Sequence, residues 1–323
     1  MSKFIGRLCN IGIAKETVRG VGVAPTFWIP KMVLSFDDKA VKVLSNQSFG
    51  TINQVGNQSL VAQKNAEGSI EGDIFDKSFG LFLLSSLGAV SSASDNGAYK
   101  HTYSLLEDNQ HPSLSLTLDE PSGDLAFELA MVESMEITAT PEETVKYTIN
   151  FKSKSSVGSS GHSASYAAEN KFIGRNVSVK LASLTSGLNA ATALCIKSLT
   201  LTVAKNLVLD YCLGTVQPED VLNKAMLITG SLELDYEDRT YANYMLDGTY
   251  RAMRIDIVND QVTIGTTNPS LRFDFSRVSF DAWEPTRDND ELVNQTITFT
   301  ALWDITNGNV IDDCYLINEE VSY

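Results

Sequence analysis

The sequence predicts a mainly β protein made of two tandem copies of one β-sandwich or barrel domain, each flanked by a single α-helix. Three observations carry that prediction: a long-range internal repeat, several stretches of strict period-two alternation, and one helical apolar stripe after the repeated strand in each half.

The repeat is clearest in Gly68-Ser-Ile-Glu-Gly-Asp-Ile-Phe-Asp76, which returns 162 residues later as Gly230-Ser-Leu-Glu-Leu-Asp-Tyr-Glu-Asp238. Lys3-Phe-Ile-Gly-Arg7 matches Lys171-Phe-Ile-Gly-Arg175 at an offset of 168, Leu34-Ser-Phe matches Leu199-Thr-Leu at 165, and Gly50-Thr matches Gly214-Thr at 164. Pro112-Ser-Leu and Pro269-Ser-Leu follow at 157, and Val145 to Phe151 matches Val293 to Phe299 at 148. The matches are colinear and their spacing shrinks steadily, as it does when loops are trimmed in a second copy. Half a chain of 323 residues is a whole domain, so two domains are expected. Residues 1–158 form the first with its N-terminal arm, 159–170 the linker, and 171–323 the second.

The elements follow in order. In Val145-Lys-Tyr-Thr-Ile-Asn-Phe-Lys152, Val145, Tyr147, Ile149 and Phe151 share one face, as a half-buried strand requires. The same alternation runs through residues 113–118, 176–181, 198–203, 270–275 and 295–299. Phe79, Phe82, Leu83 and Leu87 fall at helical spacing, as do Tyr241, Tyr244 and Met245; Asp76 and Asp238 stand where N-caps belong, and Gly88 and Gly248 where helices stop. Small polar residues fill 153–166, which sets the linker there. Long matched loops at Ser45–Lys64 and Asp210–Lys224 suggest contacts to a neighbouring subunit. The arm Phe4–Pro30 has apolar residues without a period, and Phe27, Trp28 and Ile29 are expected to seek a partner surface. The arm and the loops are therefore expected to order only on assembly with other subunits.

Composition narrows the chemistry. Lys plus Arg number 25 against 40 Asp plus Glu, a net charge of −15, which opposes a grip on phosphates. Cys9, Cys195, Cys212 and Cys314 have no metal or disulfide spacing, which fits a reducing compartment. No signal-peptide core is found at the N-terminus, and the apolar run Phe79–Val90 is too short to span a bilayer, so the chain reads as soluble and without a membrane partner.

No cofactor, metal or catalytic residue is expected. The three histidines, His101, His111 and His162, are assigned to loops and the linker and give little material for acid–base chemistry. Gly161-His-Ser-Ala-Ser165 lacks the last Gly of a nucleophile elbow, Gly20-Val-Gly22 lacks the third Gly of a dinucleotide loop, and Asp288–Glu291 lacks the Gly of a calcium loop. What stands out is a repeated acidic pair. Glu71 and Asp73 share the face opposite Ile70 and Ile74, and Glu233 and Asp235 oppose Leu232 and Leu234.

The ordered series Ile11-Gly-Ile-Ala-Lys-Glu-Thr17, Gly22-Val-Ala-Pro-Thr26, Leu34-Ser-Phe-Asp-Asp38, Ala66-Glu-Gly-Ser-Ile-Glu-Gly72 and Ser78–Leu84 resembles the tail tube (major tail) proteins of long, non-contractile-tailed bacteriophages. Residues 179–182 and 196–201 resemble the second domain of the duplicated form of that family. The resemblance implies a structural protein of the virion tail, assembled in the host cytoplasm and carrying no reaction. Its rings stack into a tube that conducts the genome and houses the tape-measure protein. The implied partners are other copies of the chain, in trimeric rings if two fused domains replace two subunits, together with tape-measure, tail-terminator and tail-tip proteins. DNA passes through without specific binding. On this reading Glu71, Asp73, Glu233 and Asp235 are candidates to line the lumen, because carboxylates repel phosphates over roughly 8–10 Å at physiological salt. Phe27, Trp28 and Ile29 are candidates for contacts between rings. The alternatives are another duplicated β module of a virion, a baseplate or decoration protein, or a carbohydrate-binding adhesin.

Overall fold

The computed structural model describes residues 3–44, 47–53, 59–290 and 292–323. It is a mainly antiparallel β protein with two short helices. In chain order the elements are β1 (Asn10–Lys15), β2 (Phe27–Ile29), β3 (Val33–Val43), β4 (Leu60–Asp73), α1 (Phe79–Leu87), β5 (Gly88–Asp95), β6 (Ala98–Leu105), β7 (Leu114–Asp119), β8 (Asp124–Ala139), β9 (Lys146–Ser153) and β10 (Val157–Ser159). Then come β11 (Val177–Ala182), β12 (Ile196–Ala204), β13 (Val208–Asp210), β14 (Asp220–Leu222), β15 (Leu227–Asp235), α2 (Thr240–Asp247), β16 (Arg251–Val258), β17 (Ser270–Pro285), β18 (Asn294–Ala301) and β19 (Ile311–Asn318).

Alternation built the strands as expected. Along β9 every second residue is buried, with Tyr147, Ile149 and Phe151 inward and Lys146, Thr148, Asn150 and Lys152 outward. β7 departs from the pattern, for Ser115 and Thr117 are buried as well. Its polar face is covered because Glu16 accepts hydrogen bonds from the Ser113 and Ser115 hydroxyls.

One four-strand order occurs twice. In the first half β3, β4, β9 and the C-terminal part of β8 lie side by side, and in the second half β12, β15, β18 and the C-terminal part of β17 do so. Ile70 pairs with Ile149 where Leu232 pairs with Ile297, and each long strand carries an irregularity at one place, Glu133 in β8 and Asp281 in β17. β8 also pairs with β12, so the eight strands form one continuous antiparallel sheet running from β3 to β17.

The long strands serve a second layer with their N-terminal parts. β1 pairs with β7, β7 with β8 and β8 with β10; likewise β11 pairs with β16, β16 with β17 and β17 with β19. β8 turns from one layer to the other at Leu129, a buried residue held at φ 56° whose N–H donates to Glu16 at 2.8 Å. Pro112 precedes β7 while Pro269 precedes β17, the strand that occupies the place of β8, so that particular sequence match joins unlike positions.

Both helices end at the expected glycines, Gly88 and Gly248, which take positive φ. Asp238, one residue before the N-cap Arg239, accepts the Thr240 N–H at 2.8 Å and so satisfies a donor of the first turn of α2. Asp76 does not cap α1; it is fully buried and its carboxylate accepts the backbone and side-chain N–H of Asn170, while Glu169 accepts the Ser78 N–H. Glu169 and Asn170 therefore close the start of the first helix. α1 is buried on every side, unlike α2, because the C-terminus covers it: the Tyr323 ring lies where a Cβ on Gly80 would be, and its hydroxyl donates to Lys77 O.

Two loop expectations need correction. The stretch Ser45–Lys64 ends in strand, since β4 begins at Leu60 and pairs residue by residue with β3; residues 45, 46 and 54–58 lie outside the described ones. Asp210–Lys224 includes β14, paired with β13. Exposed Val41, Val43, Leu60 and Val61 escape a period-two reading because both faces of the β3–β4 ribbon are solvated beyond the sheet.

Candidate assembly surface

The concentration of polar groups on one face of the eight-stranded sheet follows from alternation: each inward Ile, Leu or Phe forces its neighbours to the other side. Glu71, Asp73, Glu233 and Asp235 all lie on this face, half-buried among Thr and Ser neighbours. Glu71 stands opposite Thr148 and Glu233 opposite Thr296, so the two acids hold matching registers 162 residues apart.

Their charges are not all free. Asp73 accepts the Thr144 hydroxyl at 2.6 Å and meets Lys171 at 3.1 Å; Asp235 meets Lys197 at 3.2 Å. Glu233 accepts from Ser198 and Asn294. On the neighbouring strands Lys152 is tied to Glu133 at 2.5 Å and Lys146 to Glu143 at 2.6 Å. The Lys146 ammonium draws the Glu143 carboxyl below its usual range. Lys146, Lys152, Lys171 and Lys197 are each paired with a carboxylate, which leaves those four cations less available to a polyanion.

Both lateral borders of the sheet are open. Among the described residues β3 has β4 as its one neighbour, and residues 279–285 of β17 have β18 as theirs. The corresponding part of β8, residues 134–138, is flanked on both sides, by β9 and by β12. Unpaired edges of this length invite another strand.

The aromatic trio of the N-terminal arm is placed differently from expectation. Trp28 and Ile29 are buried within the chain and Phe27 packs against the Tyr323 ring at 5.9 Å, all three in β2 beside β1. Their partner surface is internal, so the reading of Phe27, Trp28 and Ile29 as unpartnered until rings stack is corrected, while Phe4, Ile5 and Leu8 of the same arm are exposed. β1 supplies buried Ile11, Ile13 and Ala14, and the following turn supplies Glu16 and Arg19. Arg19 reaches across to Asp220 at 2.7 Å and to the carbonyls of His111 and Val221.

The remaining titratable groups are structural. His101 lies in β6, not in a loop, held between Ser92 Oγ at 2.7 Å and Asn318 Oδ1 at 2.9 Å, and burial lowers its pKa. His111 is buried and pushed down to about 4, first by desolvation and then by the nearby Lys205 charge. The His162 ring meets Ser159 Oγ at 2.9 Å, and its backbone N–H donates to Asp124. Among the described residues no three His, Cys, Asp or Glu side chains converge in the manner of a metal site, and no helix is long and apolar enough to cross a membrane.

Sequence reasoning missed the buried hub at Glu16, the buried Lys205 and the pairing of β19 with β6 that binds the second half to the first. It also passed over the β8–β12 junction, although one signal was readable: β8 and β17 share their offset of 148 with β9 and β18.

A comparison with curated proteins returned no match. A family profile described as phage tail tube protein matches residues 6–301.

Proposed function

Since the chain belongs to the phage tail tube protein family, and is thus a structural, non-enzymatic component of the virion tail, we propose that it is the duplicated form of that subunit. Residues 1–158 and 171–323 are two copies of one domain joined by 159–170, and three chains complete a ring of six domains. Rings stack into a siphovirus-type tube whose polar inner wall conducts the genome and houses the tape-measure protein, between a tail terminator and a tail tip.

The observation that carries this reading is the β8–β12 junction. It is a finished seam between two four-stranded units, and the half-seams β17 and β3 stand open at the two ends of the same sheet. Transferring its register pairs Ser35 with Thr286 and Asp37 with Glu284 of the next copy. Closure in this manner leaves no edge, which removes the hazard of uncontrolled strand addition. The polar face then turns toward the axis, and Glu71, Asp73, Glu233 and Asp235 line the channel. Cryo-microscopy of tubes grown from the purified chain tests this, with three chains per ring expected. Six chains per ring, or an outward polar face, would refute it.

A further inference from the structure

Two identical pentapeptides have opposite surroundings. In Lys171-Phe-Ile-Gly-Arg175, Phe172 is fully buried, its N–H donates to Ile74 O at 3.4 Å and its carbonyl accepts from Val145 N at 2.9 Å. Bridges from Lys171 to Phe75 and from Ile173 to Thr144 complete a short extra strand between the end of β4 and the start of β9. Glycine is required at 174, where a Cβ would lie 1.9 Å from Thr140 O. In Lys3-Phe-Ile-Gly-Arg7 the same side chains are stranded: Phe4 is 51% and Ile5 63% exposed, and a Cβ on Gly6 would meet nothing within 4 Å.

The second half carries the matching vacancy. Tyr236 N donates to Val293 O as Ile74 N donates to Val145 O, yet Val145 is fully buried while Val293 is 36% and its neighbour Leu292 82% exposed. A cavity of about 390 Å³ opens beside them, lined by Leu234, Tyr241, Gln295 and the acids Asp235, Glu237 and Asp238. The arm brings Lys3 and Arg7, so the charges are complementary. The arm of the same chain is remote from this cleft, for Gly6 is held by Lys31 just before β3, six strand positions or about 29 Å along the sheet from β18.

We propose that Lys3–Arg7 of one copy inserts between the end of β15 and the start of β18 of the next copy in the ring. Phe4 fills the cavity, as Phe172 is buried in the first half, and Gly6 passes the backbone of Asp288 and Asn289. The inference rests on the ring reading above, because it requires the β17–β3 seam to sit as the β8–β12 seam does. The arm then acts as a strap that fastens each seam at its lower end.

Disulfide trapping tests it. With Cys9, Cys195 and Cys212 changed to Ser, a chain carrying Ile5→Cys is assembled with a chain carrying Leu292→Cys, a pair equivalent to the bridged Ile173 and Thr144. Oxidation is expected to give covalent heterodimers, and the doubly substituted chain covalently closed trimers. In parallel, Phe4→Ala is expected to raise the concentration for half-maximal assembly about tenfold while leaving the dispersed chain as stable as before. Three-chain rings without these cross-links would overturn the strap and leave the ring reading standing. Cross-linked ladders longer than trimers would also overturn it, since the arm would then join stacked rings. Absence of any ring would remove the ring reading and the strap together.

Discussion

Lys205 sits at the end of β12, 1% exposed, with its ammonium donating to Ser85 O near the C-terminal end of α1. No carboxylate pairs with it among the described residues, and Arg19 adds a second positive charge nearby. Desolvation, and then Arg19, push its pKa down to about 7 from 10.5. A folded value below the unfolded one means that the unfolded chain binds more protons between these limits, so stability rises with pH from about 7 to about 10.5. Below that window the full penalty stands, on the order of 5 kcal/mol. Replacing Lys205 with Met keeps the apolar stem and removes the charge, but orphans a helix-end carbonyl at a cost of about 1–3 kcal/mol. The net expectation is a gain on the order of 2–4 kcal/mol at acid pH. Above the window the neutral amine would still have bonded Ser85, so the same substitution costs about 1–3 kcal/mol there. Urea unfolding of the dispersed wild-type and Lys205→Met chains below, within and above this window reads the difference directly. A substitution effect of constant sign across the three conditions would refute the reasoning, because a purely packing-based change has no proton linkage.

Charge reversal of the proposed channel wall, Glu71→Lys with Glu233→Lys, is expected to leave tubes intact and give them salt-sensitive affinity for DNA; equal retention of wild-type and variant tubes on immobilised DNA at low salt would exclude a lumenal position. Glu16→Ala should destabilise the chain by about 3–5 kcal/mol, because it strips acceptors from the Leu129 and Gly20 N–H groups and from two buried serines, and calorimetry showing a change below about 1 kcal/mol would contradict that accounting.

The sequence by itself determined the strands that alternate, β7, β9, β11, β12, β18 and the first part of β17, the two helices with their glycine stops, and the faces on which Glu71, Asp73, Glu233 and Asp235 lie, because period and capping are properties of adjacent residues. It also revealed the paired pentapeptides, though not their unlike fates. Tertiary structure alone decided which edges meet. Nothing local in β8 or β12 distinguishes a strand that will be flanked on both sides from β17 or β3, which are not, since edge pairing depends on what the chain folds beside it. The same limit misplaced Trp28 and Ile29: a three-residue strand has too short a period to announce itself, and its burial comes from β1 and the distant C-terminus. Glu16 and Lys205 were illegible for a related reason, since a buried charge is explained by partners 97 to 120 residues away that only the packed core brings within hydrogen-bond reach.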